Sequence, residues 1–207
     1  MDLVNEFVTA VVASTWLLPV MFALAVIDGF FPPVPSETVL VAAAAVAATT
    51  GAIATTAAVC LVAAAGAVIG DNIAYAVGRR VGTRRFAWMR GPRVAAAFSR
   101  ARHGLERRGA PLILGARYIP VGRVAVNMSA GALGYPWRRF VPLSVVAAVT
   151  WAIYSALIGT VAGQWLGHQP LLSAVIGVVA AIAIGIVVDR VLVLRRRRAA
   201  RGAALGA

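Results

Sequence analysis

Asp28-Gly29-Phe30-Phe31-Pro32-Pro33-Val34-Pro35-Ser36-Glu37 interrupts an apolar run, and how that interruption is read decides the fold. Proline removes backbone donors and ends helices, so the chain must break here. Ahead of the break, Phe7 to Ile27 is apolar over a length that crosses a hydrocarbon core of about 30 Å as a helix. Behind it, Thr38 to Ala48 is apolar but too short to span, and Thr49-Thr50-Gly51 closes it. A helix in, a proline turn and a short helix back outline a re-entrant hairpin over residues 8–50. Such a shape is tolerated at membrane depth only where protein or a wet cavity satisfies the freed backbone.

Working outward, the whole composition agrees with lipid as the solvent. Of 207 residues 61% are hydrophobic and only 13% are charged, against about a quarter charged in a soluble domain. The apolar blocks are too continuous to show the polar faces of a soluble helix or strand. The expected class is therefore an all-α polytopic membrane protein. Asp2 and Glu6 stand where a cleavable signal peptide needs basic residues, so the first block is expected to remain in the mature chain.

The net charge of +13 comes entirely from arginine, with no lysine anywhere. A nucleic-acid partner is the usual suspicion at such a balance. These arginines, however, sit between or after apolar blocks, as cytoplasmic loops do under the positive-inside rule. No nucleic-acid partner is expected, and the Arg-rich surface should instead face anionic lipid at the cytoplasmic side of the membrane. Cys60 lies alone inside an apolar block, which rules out an internal disulfide. His103 and His168 read as surface residues with no metal-site partners, so neither a metal nor a cofactor is expected.

The second apolar block gives a full span over residues 52–78, with Gly66 and Gly70 spaced for close helix contact. Residues 83–108 form the cytoplasmic amphipathic segment. There Pro92 suits a first helical position, while Val94, Ala97, Phe98, Ala101 and Leu105 share one face away from Arg100, Arg102, Arg107 and Arg108. Gly109 is placed to end that helix. Residues 110–134 are apolar but broken by Arg117-Tyr118-Ile119-Pro120-Val121-Gly122-Arg123, which gives a second re-entrant hairpin entered from the opposite side.

Spans over 140–166 and 171–194 follow, and residues 195–207 form a basic cytoplasmic tail. The count is then two oppositely oriented hairpins, about three full transmembrane helices and one amphipathic helix, all in a single domain over 1–194. Gly159, Gly163 and Gly167 make two successive small-residue steps on one helix face, for packing against another helix or another subunit as a homo-oligomer.

The two breaks bring opposite charges to membrane depth: Asp28 and Glu37 in the first, Arg117 and Arg123 in the second. At about 2.5 to 3.5 kcal/mol per mid-span charge, four unpaired groups would oppose insertion by roughly 10 kcal/mol. Pairing or water must offset most of that. In one reading the charges merely neutralise each other and staple the hairpins together. In the other, Arg117 and Arg123 keep donors free for phosphate oxygens, which a permanently charged guanidinium fork suits. Asp28 and Glu37 then pair with the arginines and exchange protons. Asp71, in Gly70-Asp71-Asn72-Ile73-Ala74-Tyr75, is a further buried acid, open to a helix-packing bond with Asn72 or Tyr75 or to a supporting place in the site.

These stretches together resemble the DedA family of bacterial membrane proteins, also called SNARE-associated or VTT-domain proteins, over roughly residues 20–165. The resemblance is carried by Asp28-Gly29, by Pro33-Val34-Pro35-Ser36-Glu37, by Gly70-Asp71 with Tyr75, Gly78 and Arg79, and by His103-Gly104. Gly115-Ala116-Arg117-Tyr118-Ile119-Pro120 with Arg123 and Ala130-Gly131 complete it. It implies the inverted-hairpin fold and return of undecaprenyl phosphate, a polyprenyl phosphate, across the bacterial cytoplasmic membrane, where arginine at both ends of the last pair of spans places the C-terminus of this multi-pass chain on the cytoplasmic side. It also implies dependence on acids matching Asp28 and Glu37, on arginines matching Arg117 and Arg123, and on the proton motive force. The first acid is often Glu in the family and is Asp28 here, one methylene shorter.

The leading expectation is a flippase for a lipid phosphate, proton-coupled, with Arg117 and Arg123 on the phosphate, Asp28 and Glu37 on the protons, and Asp71, Tyr75 and Tyr118 in support. An uncoupled phospholipid scramblase and a structural assembly factor are the alternatives. A lipid phosphatase would need a nucleophile or base beside the arginines. Neither histidine lies near them in sequence, so no catalytic residue and no enzyme is expected.

Overall fold

The computed structural model describes residues 14–31, 34–49, 51–83, 92–118, 120–166 and 179. Among them are six helices and no strand. They are α1 (Leu17–Asp28), α2 (Ser36–Thr49), α3 (Ile53–Val81), α4 (Pro92–Ala116), α5 (Pro120–Ala132) and α6 (Trp137–Leu166). Two of them, α3 and α6, are long and apolar enough to cross a membrane, while α1 and α2 are shorter apolar helices.

The first break falls where the prolines put it, with α1 ending at Asp28 and α2 starting at Ser36. The block expected as one helix from Phe7 to Ile27 is interrupted by a turn at residues 14–16, after which α1 begins at Leu17; residues 7–13 lie outside the described ones. Ser14 supplies the reason: its hydroxyl accepts the Trp16 amide at 3.2 Å, a local bond that competes with helix continuation. The α3 helix overruns its expected end and absorbs Arg79 and Arg80 into its last turn, where cations oppose the negative end of the helix dipole. It stops at Gly82, whose φ of +62° turns the chain.

The amphipathic helix breaks where it is expected to, one residue before Gly109, at Arg108, whose φ of −134° and ψ of 33° are not helical; a second helical arm then runs through Pro111 to Ala116, and α4 is these two arms together. Pro111 cannot donate to residue 107 and crowds its carbonyl, so it stands in the first turn of the second arm. Gly109 is needed for a further purpose, because a Cβ there would meet the ring and hydroxyl of Tyr135. Of the expected apolar face, Leu105 is buried and Ala101 is exposed; the side chains of Val94, Ala97 and Phe98 lie outside the described ones.

After the break at Arg117 and Tyr118, α5 ends in a Schellman motif. Gly134 takes φ +75°, its amide reaches the Gly131 carbonyl at 3.1 Å, and the Tyr135 amide reaches that of Ala130 at 2.9 Å. The α6 helix starts at Trp137, so Arg138 and Arg139 belong to its first turn rather than preceding it. The expected span over 171–194 and the tail over 195–207 lie, Val179 aside, outside the described residues.

Packing follows the small residues. The α2 helix lies along α6, where Gly159 and Gly163 leave room for the backbone at Val41 and Ala45. The α1 helix lies on α3 at Gly66 and Gly70, and α3 meets α5 at Gly78 and Gly131. Gly159 and Gly163 are thus used within the chain. Alanines dominate the buried positions, while Leu61, Ile69, Val149, Ile153, Leu157 and Trp165 point outward. Small residues within and large apolar residues without is the pattern of helices packed in lipid, where tails solvate leucine as well as a protein core does.

Candidate functional site

The ends of α1 and α5 meet at one ion pair. Asp28 closes α1, and Arg123 lies in the first turn of α5, where Pro120 can stand because a first-turn amide has no intrahelical acceptor. Arg123 Nη2 approaches Asp28 Oδ1 at 2.9 Å and also donates to the Asp28 backbone carbonyl. The Ser36 hydroxyl, across the proline break, donates to Asp28 Oδ2. One carboxylate thereby ties α1, α2 and α5 together.

Arg117 occupies the turn between α4 and α5, deeper still. Its Nη1 lies 2.7 Å from Asp71 Oδ2, and the two side chains are 1% and 3% exposed. Asp71 is fully engaged, with Asn127 Nδ2 donating to Oδ1 at 2.9 Å and the Ser144 hydroxyl donating to Oδ2 at 3.0 Å. The Arg117 guanidinium also sits 5.0 Å over the Trp151 ring, a cation–π contact that fixes its plane.

Glu37 stands apart from this pairing. It lies in the first turn of α2, where a negative charge suits the helix dipole, and its Oε1 accepts the Tyr154 hydroxyl at 2.9 Å. The Tyr154 ring lies 5.7 Å from that of Tyr118, the neighbour of Arg117 in the turn. Glu37 is within electrostatic reach of Asp28 and Arg123, and Arg117 is within reach of Asp71, Arg123 and Asp28. The five groups are one charge cluster, three carboxylates against two guanidiniums.

Donors outnumber acceptors on the arginine side. Arg117 Nε and Nη2 and Arg123 Nε are buried with no hydrogen-bond partner among the described residues. On Arg117 those two atoms form the side edge of the guanidinium, the edge that grips two oxygens of a carboxylate or phosphate together. An unpaired buried donor costs about 1–3 kcal/mol, more on a charged group. This edge therefore favours any anion that reaches it. No group of three or more His, Cys, Asp or Glu among the described residues could hold a metal ion.

Asp28, Glu37, Arg117 and Arg123 thus come together, but not as the sequence suggests. Asp71 is the partner of Arg117, and Glu37 meets a tyrosine rather than an arginine. Asp71 bonds neither Asn72 nor Tyr75. Asn72 donates to the Val68 carbonyl and accepts from Trp137, while Tyr75 donates to the Tyr135 carbonyl at 2.5 Å and stacks on Phe140. Neighbours on one helix point to different faces, so Asp71 finds its partners on other helices. Sequence reasoning misses Asn127, Ser144, Trp151 and Tyr154, and reaches Ser36 only as part of the proline motif. Asn127 alone carried a signal, as an amide in an apolar stretch one turn beyond Arg123.

A family model described as the VTT domain matches residues 34–161, a span that holds Glu37, Asp71, Arg117, Arg123 and Tyr154 but starts after Asp28. An uncharacterized membrane protein of Mycobacterium tuberculosis is 31% identical over 176 residues, covering 79% of this chain and 78% of its own. Protein DedA of Escherichia coli K12 is 24% identical over 197 residues, covering 92% and 88% respectively. Undecaprenyl phosphate transporter A of Bacillus subtilis is 38% identical over 61 residues, 29% of this chain and 31% of that one. No solved structure matches the chain.

Proposed function

Since the chain belongs to the VTT-domain (DedA) family of membrane proteins, we propose that it carries a lipid phosphate across the bacterial cytoplasmic membrane, with undecaprenyl phosphate as the substrate and protons as the coupling ion. The observation that carries the proposal is the unused side edge of Arg117, buried at a helix break beside a second arginine. The partial relative named as an undecaprenyl phosphate transporter supports the choice of lipid.

In this mechanism α1–α2, and the arm of α4 beyond Arg108 with α5, are the two inverted re-entrant hairpins of a single domain over 1–194. The phosphate binds between them while the polyprenyl tail stays in the bilayer. Arg117 grips two phosphate oxygens and Arg123 supplies the second positive charge. With all five groups ionised the cluster already carries one negative charge in excess. A phosphate adds at least one more in a medium where charge is poorly screened. It enters as carboxylates take up protons and release their guanidiniums, Asp28 from Arg123 and Asp71 from Arg117. Glu37, which has no cation as direct partner among the described residues, is the carboxylate freest to exchange a proton. The C-terminus and the Arg79 to Arg108 segment lie on the cytoplasmic side.

One alternative has an observation in its favour: the pairs Arg117–Asp71 and Arg123–Asp28 would by themselves staple the helices of a structural assembly factor. Reconstitution in liposomes with labelled undecaprenyl phosphate, with and without an imposed pH gradient, separates the readings. Transport accelerated by the gradient is expected. Movement indifferent to the gradient would make the protein a scramblase, and no movement at all would leave the staple.

A further inference from the structure

A second basic feature lies away from the central cluster, where the last turns of α3 meet the start of α6. A cleft of about 440 Å3 opens there, lined by Asn72, Tyr75, Ala76, Arg79, Arg80 and Trp137. Both arginines are exposed, and among the described residues no carboxylate lines the cleft. Trp137 is 53% exposed, yet it is not loose. Its indole Nε1 donates to Asn72 Oδ1 at 2.9 Å, and Asn72 Nδ2 is itself anchored on the Val68 carbonyl at 2.8 Å. An indole held by its polar edge at the end of an apolar span is how tryptophan sits at the headgroup level of a bilayer.

The helix leading to the cleft says what kind of molecule fits. Ile69, Ile73, Ala76 and Arg80 follow one another at spacings of four, three and four, which puts them on one face of α3. All four are exposed. A strip of apolar side chains therefore ends at a guanidinium, with Arg79 beside it and Arg138 and Arg139 exposed on the first turn of α6. A free phosphate would use only the end of that strip, and a nucleic acid would have to lie on a hydrocarbon face.

We propose that this cleft is a second, interfacial lipid site, which seats the phosphate of an anionic phospholipid on Arg79 and Arg80 beside Trp137 and lays one acyl chain along Ile69, Ile73 and Ala76. The site needs only that the chain lies in a bilayer and does not depend on transport by the central cluster. An annular lipid held there fixes the depth of α3, and hence of Asp71 two turns below Arg79.

The test uses the full-length chain in phosphatidylcholine vesicles containing either dibromo-acyl phosphatidylglycerol or dibromo-acyl phosphatidylcholine. The difference in emission between the native chain and Trp137→Phe isolates this indole from the other four. Half-quenching is expected at a lower mole fraction of the phosphatidylglycerol, by about fivefold for each guanidinium engaged. Arg79→Gln with Arg80→Gln should abolish that preference, while Arg102→Gln with Arg107→Gln on α4 should leave it intact. If the double variant does not accumulate, Arg80→Gln alone should reduce the preference. Equal quenching by both lipids, or a preference that survives loss of Arg79 and Arg80, overturns the site. Inorganic phosphate that removes the preference at matched ionic strength would show that a free anion, not a lipid, is the ligand.

Discussion

The two arginines of the central cluster are built for different work. Arg123 sits in a helical turn and spends Nη2 twice on Asp28, on its carboxylate and on its carbonyl, in a place where the paired side chains are 7% and 12% exposed. Arg117 sits in a turn between helices, gives a single terminal nitrogen to Asp71, rests on Trp151, and keeps its side edge unspent where almost nothing is exposed. A guanidinium bound to both side chain and backbone holds an element in place. One that is fixed in plane but short of acceptors is prepared for a ligand. In the proposed mechanism Arg123 holds the end of α1 until Asp28 is protonated and then adds its charge, while Arg117 is the group that grips the phosphate.

The contrast is most easily broken through the carboxylates. Asp71→Ala leaves Arg117 buried and unpaired, which should cost about 3–5 kcal/mol. Asp28→Ala should cost less, since Arg123 keeps the carbonyl and some access to water. Thermal unfolding of both variants in detergent compares them, and equal losses would mean that the arginines are equivalent.

The next largest effect concerns transport. Arg117→Lys keeps the charge but loses the planar fork, so transport should fall by about tenfold or more at normal accumulation, the equivalent of about one good charged hydrogen bond. Arg123→Lys, which keeps the charge that Arg123 adds, should fall by less. Unimpaired transport by the Arg117 variant would remove the phosphate grip from the mechanism.

Finer distinctions come from the hydroxyls. Ser144→Ala should destabilise the protein by about 1.5–3 kcal/mol, because it strips a donor from a carboxylate with no access to water. Unfolding in denaturant reads this directly, and a change near zero would mean that Asp71 is not held as described. Tyr154→Phe should be smallest in stability, about 1 kcal/mol, since Glu37 is only half-buried. Its signature should be a transport rate with an altered dependence on external pH, and an unaltered profile would separate Glu37 from proton exchange.

Much of this was legible along the chain because membrane insertion obeys local rules. Proline and glycine forced the breaks after Asp28 and at Arg117, and the glycine steps at Gly66 and Gly70 and at Gly159 and Gly163 announced close helix contacts. Helix ends were less legible. Arg79, Arg80, Arg138 and Arg139 look like loop residues by composition, yet long side chains can stay helical and reach for the interface. The break beside Gly109 is legible, but local spacing does not show that Gly109 must also be small because Tyr135 needs the room.

Composition, the order of apolar blocks and the placement of charge determined by themselves that this is a helical membrane protein broken twice at charged turns, and the motifs at those turns carry its likeness to the VTT-domain family. Which carboxylate each arginine holds was decided only by the fold. Arg117 and Asp71 are 46 positions apart, Arg123 and Asp28 95, and Tyr154 and Glu37 117. In a medium that barely screens charge, an ion pair forms with whichever partner the helix packing brings within about 3 Å. That packing is set by glycine and alanine contacts elsewhere in the molecule.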